Sequence, residues 1–422
     1  EITYGDWSSD VCSSDLIVEQ AVLETGVRTV EVGDHIAQRR AFDGHRRVAT
    51  RQRAKCGGDA HGDGHTETLP RRSGISQPVD VGQTDEVRVL AAVDKFKGTA
   101  SAIEVARAIG HACWELGHDC DEVALADGGE GTLDALGGAN RHNVVTGPLG
   151  DGVNAGWRFQ NGTAVIEMAR ASGLTLIGGP DHNDAVAAST TGVGELIDRA
   201  LDLGAERIIV CLGGSATTDG GLGAVRAIHA PARLKNVEFL VACDVTTLFL
   251  DAASVFGPQK GASASQVRLL TGRLERVAQM YRDDMGVDVT TIEGAGAAGG
   301  LAGGLVALGG RLIPGFELVA DEVGFDDRLR NADLVITGEG CLDATSYDGK
   351  VVGAVLEAAT RANKTVGAVV GRVNLDDDID RDLPRPHALV DLCTMFGEER
   401  AMNEPLWCIE RAAVDVLRQL TP

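Results

Sequence analysis

Short apolar runs that end abruptly in polar residues recur along the chain from residue 87 onward. The clearest are VRVLAAV (87–93), EVALA (122–126), RIIVCL (207–212), VEFLVAC (237–243), ADLVI (332–336) and TVGAVV (365–370). Unbroken apolar runs of this length are typical of strands that are buried on both faces, as in parallel sheets. We therefore predict a strand at each of these six runs.

Between several of these runs, apolar residues recur with the period of a helix. Three segments show this pattern, at 101–115, 193–203 and 350–362. Alternating strands and helices predict an α/β fold with an open parallel sheet. The length of 422 residues is enough for two domains, and 55 glycines fit a fold with many tight turns.

Four loops next to these runs are rich in glycine. They are DGGEGT (127–132), GGSATTDGG (213–221), GAGAAGG (294–300) and TGEG (337–340). Glycine lets backbone amides approach a phosphate closely, and neighbouring Asp and Glu can hold Mg²⁺. Because ligands of open α/β sheets bind beyond the carboxyl ends of the strands, we interpret the loops as the rim of one site. The alternative is that they are ordinary turns, where Gly, Asp and Ser are common.

Charge and cysteine content exclude several classes of protein. The formal net charge of -23 argues against nucleic-acid binding and against binding to anionic membranes. Nine cysteines without a CxxC pair indicate a reducing compartment, so we predict a cytoplasmic protein. No apolar run approaches the ~18 residues that a membrane span requires.

The motifs that are absent from the sequence exclude further classes of enzyme. The sequence contains no GxxxxGK[ST], GxSxG or HExxH motif, which excludes P-loop enzymes and the commonest hydrolases. GAGAAG (294–299) matches the dinucleotide pattern GxGxxG, but the preceding VDVTTIE makes a poor buried strand. A nicotinamide oxidoreductase is therefore a weak alternative.

Residues 1–86 differ in character from the rest. DWSSDVCSSDL (6–16) looks like the translation of a sequencing adapter, and the Arg- and His-rich stretch after it has little apolar periodicity. We interpret residues 1–86 as an artefactual or disordered leader. A small N-terminal domain, or a metal site at Cys56, His61 and His65, is the alternative reading.

The turn after the first predicted strand holds Asp94 and Lys97, three residues apart. Phosphoryl transfer needs a cation near the γ-phosphate, a metal held by carboxylates, and a carboxylate directed at the acceptor hydroxyl. Asp94 and Lys97 are the best candidates for the carboxylate and the cation.

A family resemblance rests on nine motifs in order. They are DKFKG (94–98), ADGGEGT (126–132), GPLGD (147–151), AVIEMARASGL (164–174), LGGSATTDGG (212–221), ACDV (242–245), GAGAAGGLAGG (294–304) and ADLVITGEGCLD (332–343), with VFGPQKGA (255–262) between the sixth and seventh. In these blocks, from 87 to about 420, the chain resembles the type-1 glycerate kinase family, in a shorter form.

The resemblance implies an ATP-dependent kinase that converts D-glycerate to 2-phosphoglycerate or 3-phosphoglycerate, with Mg²⁺ as the default metal. It implies two α/β domains with the site between them. The first is a discontinuous Rossmann-like domain (87–155 and 290–422), and the second is a smaller inserted domain (156–289). A homodimer, the metal identity and the product isomer stay open.

The resemblance also implies a set of site residues. Asp94, Lys97 and Asp219 are the catalytic candidates, with Asp94 or Asp219 as the acceptor-side carboxylate. Candidates for substrate or phosphate binding are Gly213, Gly214, Ser215, Thr217, Asp244 and Lys260. Candidates for nucleotide binding are Asp127, Gly128, Gly129, Glu130, Gly338, Glu339 and Asp343, and Asp127 and Glu339 are also the metal candidates.

The chain departs from the family pattern at a few positions. Lys95 stands where the family commonly has Ser, Val93 where it has Pro, and Cys341 where it has a basic residue. The segment between Gly223 and Val237 is shorter than in many members. Two further readings remain: a kinase of a related small hydroxy acid, and a non-catalytic protein that binds glycerate or nucleotide.

Overall fold

The computed structural model describes residues 87–375 and 383–421. All of them belong to one compact unit. The predictions made for residues 1–86, including the leader and the site at Cys56, His61 and His65, lie outside the described residues.

The strands of the described residues form two sheets. In chain order they are β1 (Arg88–Val93), β2 (Asp119–Ala124), β3 (Arg141–Thr146), β4 (Gly152–Gln160), β5 (Thr163–Glu167), β6 (Arg207–Cys211), β7 (Glu238–Ala242), β8 (Arg311–Ile313), β9 (Leu334–Asp343), β10 (Thr365–Asn374) and β11 (Ala388–Asp391). The first sheet therefore takes its strands from both ends of the described chain, and the second from the middle.

The first sheet has five strands in the order β11-β10-β9-β1-β2. All neighbouring pairs in it are parallel. Val89, Ala91 and Val93 of β1 pack into one apolar cluster, whereas Leu90 and Ala92 pack into another on the opposite face. Both faces of the strand are therefore buried, which explains why its sequence is apolar throughout.

The second sheet has six strands in the order β3-β4-β5-β6-β7-β8. The β3–β4 and β4–β5 pairs are antiparallel, and β5 to β8 run parallel. The predicted α/β fold, with one discontinuous parallel sheet and one inserted sheet, is confirmed. The predicted domain limits at 155–156 and 289–290 stay a prediction. The strands of the inserted sheet run from Arg141 to Ile313.

All six predicted strands are present, with ends shifted by up to seven residues, because β9 runs on to Asp343 and includes the TGEG segment that was predicted as a loop. The helices of the described residues are α1 (Ala102–Glu115), α2 (Thr132–Ala135), α3 (Ala169–Ser172), α4 (Thr191–Asp202), α5 (Leu222–Ala227), α6 (Ala252–Phe256), α7 (Ala264–Met285), α8 (Ala297–Ala307), α9 (Gly315–Val323), α10 (Phe325–Asn331), α11 (Val351–Arg361), α12 (Leu392–Phe396), α13 (Glu398–Asn403) and α14 (Pro405–Leu420). The three predicted helices correspond to α1, α4 and α11.

Helix α1 shows how local sequence fixes an element of the site. Ser101 caps its first turn and forms a capping box with Glu104, whose Oε2 accepts a 2.9 Å hydrogen bond from the Ser101 N–H. Because the cap fixes where α1 starts, it also fixes the short turn that joins β1 to the helix. Among the described residues, no helix is both long and apolar enough to span a bilayer.

Candidate active site

Loops at the carboxyl ends of both sheets enclose a pocket of ≈ 600 Å³, called the first pocket below. The loops that follow β1 and β2, the carboxyl-terminal parts of β9 and β10, and the segment after β11 supply most of its wall, and the loop after β6 supplies the rest. The predicted site residues that line it are Asp94, Lys97, Asp127, Gly129, Glu130, Gly213, Gly214, Glu339 and Asp343. The structure therefore brings nine of the sixteen predicted residues together from distant parts of the chain.

A second pocket of ≈ 890 Å³ lies against the first. Its far wall comes from β3, β4 and the region after β5, and includes His142, Asn154 and Arg170. The wall that the two pockets have in common consists of Asp94, Lys95, Phe96, Lys97, Thr99 and Glu130. Two ligands bound side by side would therefore meet at the turn after β1.

Glycines allow the loops of the two sheets to touch through their backbones. A Cβ on Gly213 would lie 2.5 Å from the Glu130 nitrogen and 2.7 Å from the Gly129 Cα. A Cβ on Gly128, whose φ is +80°, would lie 2.6 Å from the Gly315 Cα. Both distances are shorter than real Cβ contacts, so only glycine fits here.

Asp94 is the buried carboxylate of the common wall, with 8% of its surface exposed. Burial raises its pKa to about 6, and the nearby Asp127 charge adds to this, whereas Lys95 opposes it. The Asp94 N–H donates a 2.9 Å hydrogen bond to the Gly338 carbonyl, which ties the turn to β9. A carboxylate with this pKa is ionised at neutral pH and can still accept a proton.

Lys95 reaches the carboxylates of the site, which the sequence analysis did not predict. Its Nζ lies 3.6 Å from Asp94 Oδ1 and 4.0 Å from Asp127 Oδ1. Burial lowers the pKa of Lys95, but the charges of Asp94, Asp127 and Glu130 outweigh it, so the pKa is raised overall. Lys97, the predicted cation, also lines both pockets, but its side chain is exposed.

Asp127, in the loop after β2, and Glu339, within β9, both line the first pocket. Asp127 Oδ1 accepts a 3.1 Å hydrogen bond from the Gly129 N–H. Glu339 is 7% exposed, and its Oε1 has no hydrogen-bond partner among the described residues. Burial raises the Glu339 pKa to about 7, and the Asp94 charge adds to it. Oxygen donors for a divalent cation are therefore present, although the described residues hold no preformed group of three or more metal-binding side chains.

Asp343 ends β9 and caps the short 3₁₀ turn that follows, at Ala344–Tyr347. Its Oδ1 accepts hydrogen bonds from the N–H and the Oγ1 of Thr345, at 2.9 and 2.6 Å. Lys350 in turn donates a 2.6 Å hydrogen bond to Thr345 Oγ1. These contacts fix the turn that follows β9, at the rim of the first pocket.

The remaining predicted residues do not line either pocket. Asp219 is 7% exposed and its carboxylate accepts hydrogen bonds from Thr190, Gly221 and Gly223, so it holds the first turns of α4 and α5. The others outside the pocket walls are Gly128, Ser215, Thr217, Asp244, Lys260 and Gly338. Their predicted roles in binding or catalysis stay predictions.

The GAGAAGG loop packs inside the second sheet's half of the fold. Gly299 and Gly300 have φ of +67° and +89°, and a Cβ on Gly299 would lie 2.0 Å from the Thr217 carbonyl oxygen. The residues before it form a 3₁₀ turn, Val289–Thr291, instead of a strand. The loop thus supports the 213–221 loop from behind, and the strand that a dinucleotide fingerprint requires is not there.

Comparison with known proteins shows which family the chain belongs to. The model of the glycerate kinase family matches residues 89–231 and 225–421. Glycerate 2-kinase from Escherichia coli K12 is 39% identical over 333 residues, which cover 69% of this chain and 87% of the relative. Glycerate kinase from Haemophilus influenzae is 38% identical over 365 residues, which cover 75% and 96%. The chain belongs to the glycerate kinase family.

A solved structure supports the same assignment. The crystal structure of a protein assigned as glycerate kinase 2 from Salmonella typhimurium LT2 superposes with a TM-score of 0.67 at 35% identity. The match covers 79% of this chain and 98% of that one. As a member of the glycerate kinase family, the protein is a phosphotransferase, and membership implies ATP as the phosphoryl donor.

The two family matches overlap at residues 225–231. This is the segment that the sequence analysis found shorter than in many members of the glycerate kinase family. In the structure, α5 and a 3₁₀ turn at Pro231–Asn236 connect directly to β7.

Glu167, a buried acidic residue of the second pocket, was not predicted. Glu167 ends β5, is 1% exposed, and its Oε1 accepts a 2.9 Å hydrogen bond from the Gly131 N–H. Burial raises its pKa, and Arg170 lies 3.8 Å from its Oε2. A carboxylate directly after the apolar run AVI was the available signal, because it marks the carboxyl end of a strand.

Proposed function

We propose that this member of the glycerate kinase family transfers the γ-phosphoryl group of Mg·ATP to D-glycerate at the common wall of the two pockets. The proposal rests on one observation: Asp94, Lys95, Asp127, Gly213 and Gly214 all line the first pocket. These groups supply the carboxylates, the cation and the amide-lined loop that phosphoryl transfer needs.

The first pocket suits a nucleotide. Leu392, Ala401 and Met402 give it an apolar wall, whereas the opposite wall carries the glycine-rich loops and the carboxylates. An apolar wall favours a purine base, and glycine-rich backbone favours phosphates. The second pocket, with Arg170, His142 and Asn154, then takes the small hydroxy acid.

Transfer requires few covalent changes. The acceptor hydroxyl oxygen of glycerate attacks the γ-phosphorus, the bond from that phosphorus to the β,γ-bridging oxygen breaks, and ADP leaves with the bonding electrons. Asp94 takes the proton of the attacking hydroxyl, because it is the buried carboxylate of the common wall and its pKa is about 6.

The carboxylates also fit a magnesium ion. Mg²⁺ usually takes one or two carboxylates together with substrate phosphates and water, so a preformed protein cluster is not needed. Asp127 and Glu339, whose Oε1 is buried without a partner, would hold it. When bound, the ion neutralises charge on the phosphates.

The relative from Escherichia coli is a glycerate 2-kinase, which favours 2-phosphoglycerate over 3-phosphoglycerate as the product. A cytoplasmic location and a homodimer remain predictions from the sequence.

The proposal is tested by measuring ADP release from ATP with D-glycerate, and by ³¹P and ¹³C NMR of the product. We expect glycerate-dependent ADP release and phosphate on the C2 oxygen. D-lactate, which keeps the hydroxyl and the configuration at C2 but lacks the C3 hydroxyl, is the matched acceptor control, and its turnover measures how far the C3 hydroxyl contributes to recognition. If the protein phosphorylated another hydroxy acid faster than D-glycerate, that acid would be assigned as the substrate instead. If it bound nucleotide but phosphorylated no acid, the proposed catalytic function would be refuted.

A further inference from the structure

Lys95 lies in the wall that is common to the first and second pockets. The donor nucleotide and the acceptor acid would meet at this wall under the proposed function. A side chain here can reach the group that passes from one ligand to the other, whereas most other residues line one pocket alone.

The Lys95 ammonium has no tight partner in the wall. Its Nζ lies 3.6 Å from Asp94 Oδ1 and 4.0 Å from Asp127 Oδ1, both longer than a hydrogen bond between charged groups. The carboxylates therefore keep the ammonium charged and in place without holding it in a short ion pair. A phosphate oxygen could therefore bind the ammonium without first breaking a strong ion pair.

Packing directs the side chain into the wall. A Cβ on Gly131 would lie 3.4 Å from Lys95 Cδ, which shows that the lysine stem runs along the loop after β2. Only 24% of the Lys95 side chain is exposed. Lys97, two residues further on, is exposed and has no ion pair among the described residues.

We propose that Lys95 is a catalytic residue of this protein, and that its ammonium binds a non-bridging oxygen of the γ-phosphoryl group during transfer. The inference rests on the proposed function for the identity of the ligands. Lys95 gains and loses no proton and forms no covalent bond: the phosphorus–oxygen bonds and the proton move as described above. Its role is to stabilise the negative charge on the transferring group.

The same movement assists Asp94. While the ammonium stays near Asp94, its charge disfavours protonation of that carboxylate. Once the ammonium turns toward the phosphate, the Asp94 carboxylate is better able to accept the hydroxyl proton.

The test compares Lys95→Met and Lys95→Arg with the wild type, and uses Lys235→Met as the control. Lys235 is exposed in the 3₁₀ turn before β7 and lies outside both pockets. Affinity is measured by calorimetry for ADP and for the β,γ-imido analogue of ATP, with and without Mg²⁺, next to kcat for D-glycerate phosphorylation. Thermal unfolding checks that each variant is folded.

For Lys95→Met we expect affinity for the imido analogue to fall by about 10- to 100-fold, as for loss of a charged hydrogen bond, while ADP affinity changes much less. The kcat should fall by about 100-fold, and Lys95→Arg should restore part of both. Equal losses for the two nucleotides, or an unchanged analogue affinity, would overturn the proposal. The comparison of the two nucleotides measures binding and needs no turnover. A failure of the proposed function would instead appear as absent glycerate phosphorylation by the wild type, so the two failures can be distinguished.

Discussion

The buried ammonium of Lys260 donates a 2.7 Å hydrogen bond to the carbonyl oxygen of Thr217. Lys260 is 2% exposed and lies behind the loop whose glycines line the first pocket. Its contact is with the backbone of that loop, on the side away from the pocket walls. The lysine therefore supports the loop, and a change at this position should act on stability as well as on activity.

Lys260→Met should change how stability depends on pH. Burial lowers the Lys260 pKa to about 7, although the Asp219 charge acts in the opposite direction. In the unfolded chain the pKa returns to about 10.4, so between these values the unfolded state binds more protons. The free energy of unfolding then gains up to about 1.4 kcal/mol per pH unit from this group, and the methionine variant loses that gain.

Urea unfolding between pH 6.5 and 9.5 measures this difference. Below pH 7 the ammonium is charged in both states, so the contribution of Lys260 is flat there and its burial cost is fully present. Lys235→Met serves as the control and should keep the wild-type slope. Parallel curves for Lys260→Met and the wild type would contradict the assigned pKa.

Gly213→Ala should damage the contact between the two sheets. Its new Cβ would overlap the Glu130 nitrogen and the Gly129 Cα, and overpacking of this kind costs about 1–3 kcal/mol. Because the backbone on both sides lines the first pocket, activity should fall as well. Denaturant unfolding and kinetic assays measure the two effects.

Gly272→Ala is the matched control for that substitution. Gly272 lies inside α7, and a Cβ there meets no atom within 4 Å. Alanine should stabilise the helix by about 1 kcal/mol and leave activity unchanged. If Gly213→Ala behaved in the same way, the close backbone contact would be disproved.

Asp94→Asn should abolish most turnover and leave nucleotide binding nearly intact. Asparagine keeps the size of the side chain but cannot accept the proton of the attacking hydroxyl. Loss of a general base typically costs about 10²- to 10⁴-fold in rate. Asp284→Asn, an exposed change on α7, should retain full turnover, and a similarly active Asp94→Asn would exclude Asp94 as the base.

Asp244→Asn should stabilise the protein at pH 8 but not at pH 4. Asp244 Oδ1 accepts a 2.5 Å hydrogen bond from the Gly315 N–H, and Oδ2 is buried without a partner among the described residues. Burial raises the pKa of this carboxyl to about 7, and the Asp127 and Glu317 charges add to it. Its stabilising contribution is therefore complete below the unfolded pKa of about 3.9 and is lost as the pH rises through 7.

Asparagine keeps an oxygen for the Gly315 N–H and carries no charge at any pH. The difference in unfolding free energy between variant and wild type should grow from pH 4 to pH 7 and then level off. Guanidinium unfolding in a pH series measures it. A difference that stays constant over this range would show that Asp244 titrates normally.

The longer parallel strands could be read from the sequence, but the antiparallel strands and the short parallel strands β8 and β11 could not. Strands β1, β6 and β7 are apolar throughout because both faces are covered, which leaves an unmistakable run. Strands β3 and β4 bury few positions, and RHNVVT and GVNAGWRFQ lack a long apolar run. Local sequence gave little reason to predict them, since their partner strands supply most of the stabilisation.

The site was predictable as a set of loops but less so as individual side chains. Loop identity follows from strand order, because the carboxyl ends of parallel strands meet at one edge. The direction of a side chain within a turn depends on its dihedral angles, so spacing could not tell that Lys95 reaches the carboxylates while Lys97 is exposed. Similarly, sequence could not show that Asp219 and Lys260 contact the loop from behind.

The backbone contact between Gly128 and Gly315 has a practical consequence for redesign. Where the loops of the two sheets touch, the peptide groups leave no room for a side chain. Substitutions at these glycines would therefore disrupt the contact and could not reshape the pocket. The walls formed by His142, Asn154 and Arg170 are side-chain surfaces instead. Under the proposed function, a library meant to change which acid the protein accepts should therefore randomise those walls and leave the glycines unchanged.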